Sequence, residues 1–185
     1  MACCVFMCGC FCCSKTSAPR NVKIPNLYAG IEVGSKGVKM SLIELTRSAE
    51  TGNSFTIVKD TSVNTDFISF TPATFDATLN GLTALYTVAL TKYNIPSKRV
   101  FTVISSGVKQ QAEKEQKTES ISKLIAAFQT KINEPGRLVE VVDVMQEAKL
   151  SHVGIVPLSR RYSTFLIDIG SGNTKGGFFP YGNDS

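Results

Sequence analysis

Two short stretches place a carboxylate just ahead of a glycine turn: Glu32-Val33-Gly34-Ser35 and Asp168-Ile169-Gly170-Ser171. Each closes an apolar run, LYAGIEV and STFLIDI. A buried strand that ends on a carboxylate needs something to meet that charge. Glycines let the backbone come close to an anion, and successive N–H groups form an anion-binding concavity. A carboxylate beside such a turn can hold Mg2+ through water. On this chemistry the phosphate-binding residues are Gly34, Ser35 and Lys36 in the first turn. In the second they are Gly170, Ser171, Gly172, Asn173, Thr174 and Lys175, and Glu32 and Asp168 are the metal ligands. Two glycine hairpins without a ligand are the alternative reading of the same turns.

The elements that must position these turns follow from the apolar spacing. Residues 27–33 and 37–45 read as strands around the Gly34–Gly37 turn, and 55–63 as a third, giving an antiparallel meander. Thr71 is an N-cap with Pro72 at the first helical position. Phe75, Leu79, Leu82, Tyr86, Leu90 and Tyr93 then recur at helical spacing as far as Asn94-Ile95-Pro96. A strand over 99–104, a helix over 108–132, a strand over 137–142 and a helix over 144–152 come next. Strands over 163–169 and 175–179 flank the second glycine turn. The order β-β-β-α-β-α-β-α predicts an α/β mixed sheet with helices on both faces. That is the ribonuclease-H-like topology, which resembles the fold shared by actin, heat-shock protein 70 and sugar kinases, where two such subdomains clasp a phosphate ligand. The expected division is a cysteine-rich N-terminus and linker over 1–26, subdomain I over 27–162, and the first hairpin of a truncated subdomain II over 163–185.

Composition narrows the partners. A net charge of +5, spread with no run of basic residues longer than a pair, is too diffuse for a nucleic-acid grip, so nucleic acid is not expected. All six cysteines lie within the first 13 residues, without the paired spacing or nearby histidine that zinc needs. That cluster reads either as a lipid-anchor site or as an N-terminus with no such role, so localisation is cytoplasmic or membrane-anchored. His152 is the single histidine, which rules out a triad or metal cluster built on several, and it reads as structural. The run Lys109–Lys117 reads as a solvated helix face.

The two turns resemble the phosphate loops of the exopolyphosphatase / guanosine pentaphosphate phosphatase family. Gln146-Glu147-Ala148-Lys149-Leu150, followed by Val153-Gly154-Ile155, resembles that family's catalytic stretch. The resemblance spans residues 27–179. It implies a phosphohydrolase that removes a terminal phosphate from polyphosphate or a nucleotide with Mg2+, with Glu147 as the general base. A second copy of the chain is a further expected partner. Departures are visible: Glu32 replaces an aspartate, Lys36 and Gly37 replace asparagine and serine, and Lys175 replaces an acidic residue. Asp143-Val144 stands where the family has Ser-Gly, and Ser105-Ser106-Gly107-Val108 lacks the family's phosphate-binding arginine. The second turn, with its lysine, also resembles the phosphate loop of plasmid-segregation actin-like ATPases, where that lysine meets a β-phosphate. These departures leave open a phosphate- or nucleotide-binding protein without turnover.

Overall fold

The computed structural model describes residues 26–48 and 52–180. The cysteine cluster, nearly all of the expected linker and residues 181–185 lie outside that range. Strand β1 (Leu27–Val33) alternates as its sequence requires: Leu27, Ala29, Ile31 and Val33 are buried, and the residues between them face the other side. It pairs antiparallel with β2 (Gly37–Ser48), which pairs antiparallel with β3 (Gly52–Asn64) through a register shift at Leu42/Ile43. Gly37 is required where the meander closes, because a Cβ there would stand 2.2 Å from the Val63 carbonyl oxygen.

Strand β4 (Val100–Ile104) joins the other edge of β1 in parallel, and β5 (Glu140–Val141) joins β4 in parallel. The five-stranded order is β3-β2-β1-β4-β5, a ribonuclease-H-like mixed sheet. Helix α1 (Pro72–Thr91) begins in a reciprocal capping box: Thr74 N donates to Thr71 Oγ1 at 3.2 Å, and Thr71 N donates to Thr74 Oγ1 at 3.1 Å. It packs on β1 and β2, burying Thr78, Gly81, Leu82, Leu85, Tyr86 and Ala89, while Phe75, Leu79, Leu90 and Tyr93 are half-buried beside them.

The single helix expected over 108–132 is two: α2 (Ser106–Lys114) and α3 (Thr118–Lys131). Gln116 takes the left-handed conformation (φ 57°). The N–H of Lys117 then bonds Ala112 O at 2.7 Å and that of Gln116 bonds Glu113 O at 3.2 Å. This is a Schellman ending without its usual glycine, so the sequence hid the break. Splitting the helix lets Val108 and Ala112 of α2, and Ile121, Leu124 and Phe128 of α3, reach one core.

Arg137 ties the α3–β5 connection to the sheet. It donates to the carbonyls of Ser97 and Val100 at 3.0 Å each, to Tyr86 Oη at 2.6 Å and to Glu134. Burial and the hydrogen bond to Glu134 push the Tyr86 phenol up to about 12. The strand expected over 137–142 keeps ladder pairing only at Glu140–Val141. Helix α4 (Val144–Ile155) follows, and then the antiparallel pair β6 (Leu166–Ile169) and β7 (Thr174–Gly177) as a separate two-stranded sheet. His152 is buried, with Nε2 3.0 Å from Thr164 O and its ring edge-to-face with Phe179. It packs between α4 and Phe179, with Nδ1 buried and without a hydrogen-bond partner among the described residues. No described helix is long and apolar enough to cross a membrane.

Candidate functional site

Parallel β1, β4 and β5 bring their carboxyl ends to one edge, where a crevice forms beside the point at which the sheet changes strand direction. The ends are locked together: Ser105 N bonds Val33 O at 3.0 Å, and Val142 N bonds Ile104 O at 3.1 Å. The β1–β2 turn closes with Gly34 N on Gly37 O at 2.9 Å, and the β6–β7 turn closes in the same way with Gly170 N on Asn173 O at 2.9 Å.

The second turn docks on the first. A Cβ on Gly172 would fall 2.2 Å from Ser35 Oγ, a hydroxyl that could rotate away, and 3.2 Å from Gly107 Cα, so a side chain here would crowd the approach. Asn173 Nδ2 donates to Ser106 Oγ and to Gln110 Oε1, both at 2.9 Å. Four segments far apart in sequence thus line a cleft of about 70 Å³. It is lined by Glu32, Gly34, Ser35, Lys36, Gly37, Lys39, Ser105, Gly107, Glu147, Gly170, Ser171, Gly172, Asn173 and Lys175.

Glu147 enters from the first turn of α4. Asp143, the N-cap, orients that turn by accepting from Gln146 N at 2.7 Å. Glu147 Oε2 accepts from Ser106 N at 2.7 Å, at the N-terminus of α2, where the helix dipole favours an anion. Its other oxygen, Oε1, lies 3.1 Å from Lys175 Nζ. Lys175 also lies 3.1 Å from Asp168 Oδ2, its direct cross-strand neighbour. Ser151 Oγ donates to the same Asp168 oxygen at 3.4 Å. Burial alone would lower the Lys175 pKa, but its hydrogen bonds to Glu147 and Asp168 outweigh that and hold it above its ordinary value. Glu32 shifts upward, mainly through burial; Glu147 and Asp168 add to the rise, and Lys39 and Lys175 oppose it.

Most of the sequence-derived site therefore converges. Asp168 and Thr174 do not line the cleft, and Asp168 meets it through Lys175. Lys36 reaches the rim, where it pairs with Asp66 at 3.1 Å. Sequence reasoning passed over Gly37, Lys39, Ser105 and Gly107 of the lining as site residues, and Gln110 beside them. The small residues Ser105-Ser106-Gly107 between a strand and a helix were the available signal.

A divalent cation on Glu32 and Asp168 fits these residues poorly. It needs ionised oxygens free to coordinate. Asp168 is engaged by an ammonium, and burial favours the neutral form of Glu32. Among the described residues, no three His, Cys, Asp or Glu side chains group closely enough to hold a metal ion.

No family model matches the sequence, and no curated protein matches it. Solved structures do. The Aquifex aeolicus PPX-GPPA enzyme aligns with a TM-score of 0.56 at 17% identity, over 83% of this chain and 48% of that one. An exopolyphosphatase-like protein aligns with a TM-score of 0.54 at 16% identity, over 80% of this chain and 43% of that one. An exopolyphosphatase from Cytophaga hutchinsonii aligns with a TM-score of 0.52 at 15% identity, over 85% and 47%. This chain spans about half the length of the structures it matches. At such identities the likeness is one of fold alone, a mixed sheet flanked by helices.

Proposed function

We propose that this chain binds the phosphate chain of polyphosphate or of a nucleotide in the cleft between its two glycine turns. The observation that carries the reading is the seat of Gly172 against Ser35 and Gly107. It gathers small residues from the ends of three separate segments, whose backbone N–H groups suit phosphate oxygens. Lys36 and Lys39 line the same cleft. The fold likeness to exopolyphosphatases supports a phosphoanhydride ligand.

Calorimetry with tripolyphosphate and with ATP tests this. Binding to the wild type, weakened about tenfold or more by Gly172→Val, is expected. Absence of binding to the wild-type chain with either ligand would refute the reading.

A hydrolytic form of the same reading is favoured by the position of Glu147 in the wall of the cleft. Water would attack the terminal phosphorus and Glu147 would take its proton. The new O–P bond would form as the anhydride bond breaks, and the shortened chain would leave as the anion. Mg2+ held by Glu32 and Asp168 belongs to this form and fits the residues least well. Glu147 already accepts Ser106 N–H and the Lys175 ammonium, one on each oxygen, which supports binding over turnover. Phosphate release separates the two: release by the wild type that Glu147→Gln abolishes establishes the hydrolytic form, and binding with no release establishes the binding form.

A further inference from the structure

The cleft is supplied with a cation by the chain itself. Lys175 Nζ sits 3.1 Å from an oxygen of Glu147 and 3.1 Å from an oxygen of Asp168, bridging helix α4 to strand β6. The lysine side chain is 4% exposed, against 19% for Glu147 and 32% for Asp168, so the ammonium is the most enclosed of the three. Register holds it there, because Asp168 and Lys175 are directly paired across β6 and β7. Gly176, the next residue, has no room for a Cβ, which would stand 2.1 Å from Leu166 O.

We infer that the Lys175 ammonium takes the place of a divalent ion in this cleft, closing Glu147 and Asp168 to metal and leaving the site to take a phosphate chain without one. A dication shared by those carboxylates would have to occupy the space the ammonium fills, next to a positive charge that cannot diffuse away. An ammonium has three N–H donors. Two are directed at Glu147 and Asp168, and Lys175 is itself among the residues that line the cleft. The phosphate arm of the inference rests on the ligand reading above; the metal arm does not.

The test uses the full chain and Mn2+ alone, read by the loss of the free-ion paramagnetic resonance signal. Wild-type protein is expected to leave the signal unchanged. Lys175→Glu, which adds a carboxylate beside Asp168 and Glu147, is expected to take up one Mn2+ at least about tenfold more tightly than the wild type. Stoichiometric uptake by the wild type would overturn the inference, whether or not the variant folds. In parallel, tripolyphosphate binding to the wild type is measured before and after exhaustive chelation. Equal affinity is expected, and binding abolished by chelation would also overturn the inference. If tripolyphosphate does not bind under any condition, the ligand reading fails, and the Mn2+ titration still decides the metal arm.

Discussion

Replacing Lys175 with methionine removes the ammonium while nearly keeping the volume, so the effect is electrostatic rather than a cavity. Two charge-assisted contacts of 3.1 Å are lost, and Glu147 and Asp168 then face one another with Glu32 nearby. Breaking one partner of a fully buried ion pair costs about 3–5 kcal/mol. Here the carboxylates are 19% and 32% exposed and regain water, which lowers the expected cost to about 2–3 kcal/mol. With a urea slope of about 2 kcal/mol per molar, the unfolding midpoint falls by about 1 M at neutral pH. The pH dependence gives a second signature. The folded-state pKa of Lys175 is raised, so its stabilisation is whole below the ordinary value of 10.5 and is lost as pH rises through the folded-state value. The gap between the two proteins should therefore hold from neutral pH to about pH 10 and narrow above it. Urea melts of both proteins at about pH 7 and at about pH 11 supply the data. A midpoint shift below about 0.3 M at neutral pH, or a gap that widens at about pH 11, would refute the account of Lys175 as the enclosed counter-charge.

Three other substitutions follow from the same geometry. Glu32→Gln is expected to raise stability at neutral pH, because a carboxylate with a raised folded-state pKa destabilises the fold above that pKa. Thermal melts should show the gain shrinking as pH falls toward the ordinary value of 4.5. Arg137→Met takes a donor from the carbonyls of Ser97 and Val100 and from Tyr86 Oη, and leaves Glu134 the Tyr86 hydroxyl but no ion pair, for a loss of about 2–4 kcal/mol in urea melts. The same change should push the Tyr86 phenol's titration, read by ultraviolet absorbance, further up, because the Arg137 guanidinium opposes the rise set by burial and Glu134. Gly37→Ala sets a methyl against the Val63 carbonyl and should cost at least about 2 kcal/mol in the same melts, by forcing β2 from β3.

The sequence announced elements whose local chemistry is self-sufficient. Thr71-Pro72 marks a helix start whatever surrounds it, and glycine at positions 34 and 37 marks a tight turn between alternating strands. The order of those elements was enough to place the ends of β1 and β4 at one edge. What stayed hidden depends on tertiary contact or on unusual residues in common motifs. Gln116 ends α2 in a conformation that normally selects glycine, so nothing in the apolar pattern marked the break. The contact of Glu147 with Ser106 joins residues 41 positions apart, and no local rule foretells it. The Asp168–Lys175 pair was within reach. The tight turn over Gly170–Asn173 pairs Ile169 with Thr174, and period-two alternation then sets Asp168 opposite Lys175. Reading Lys175 as a departure from one phosphate loop and as a phosphate contact in another left out its role as the partner of the aspartate across from it.

The central claim is that distant segments make one phosphate-binding cleft. Its most direct test is a tripolyphosphate titration followed by amide chemical shifts on the labelled full chain. The account predicts that the amides of Ser35, Gly107, Ser171 and Gly172 shift together along one binding curve. Shifts confined to one turn, or a titration that leaves all four unmoved, would contradict it.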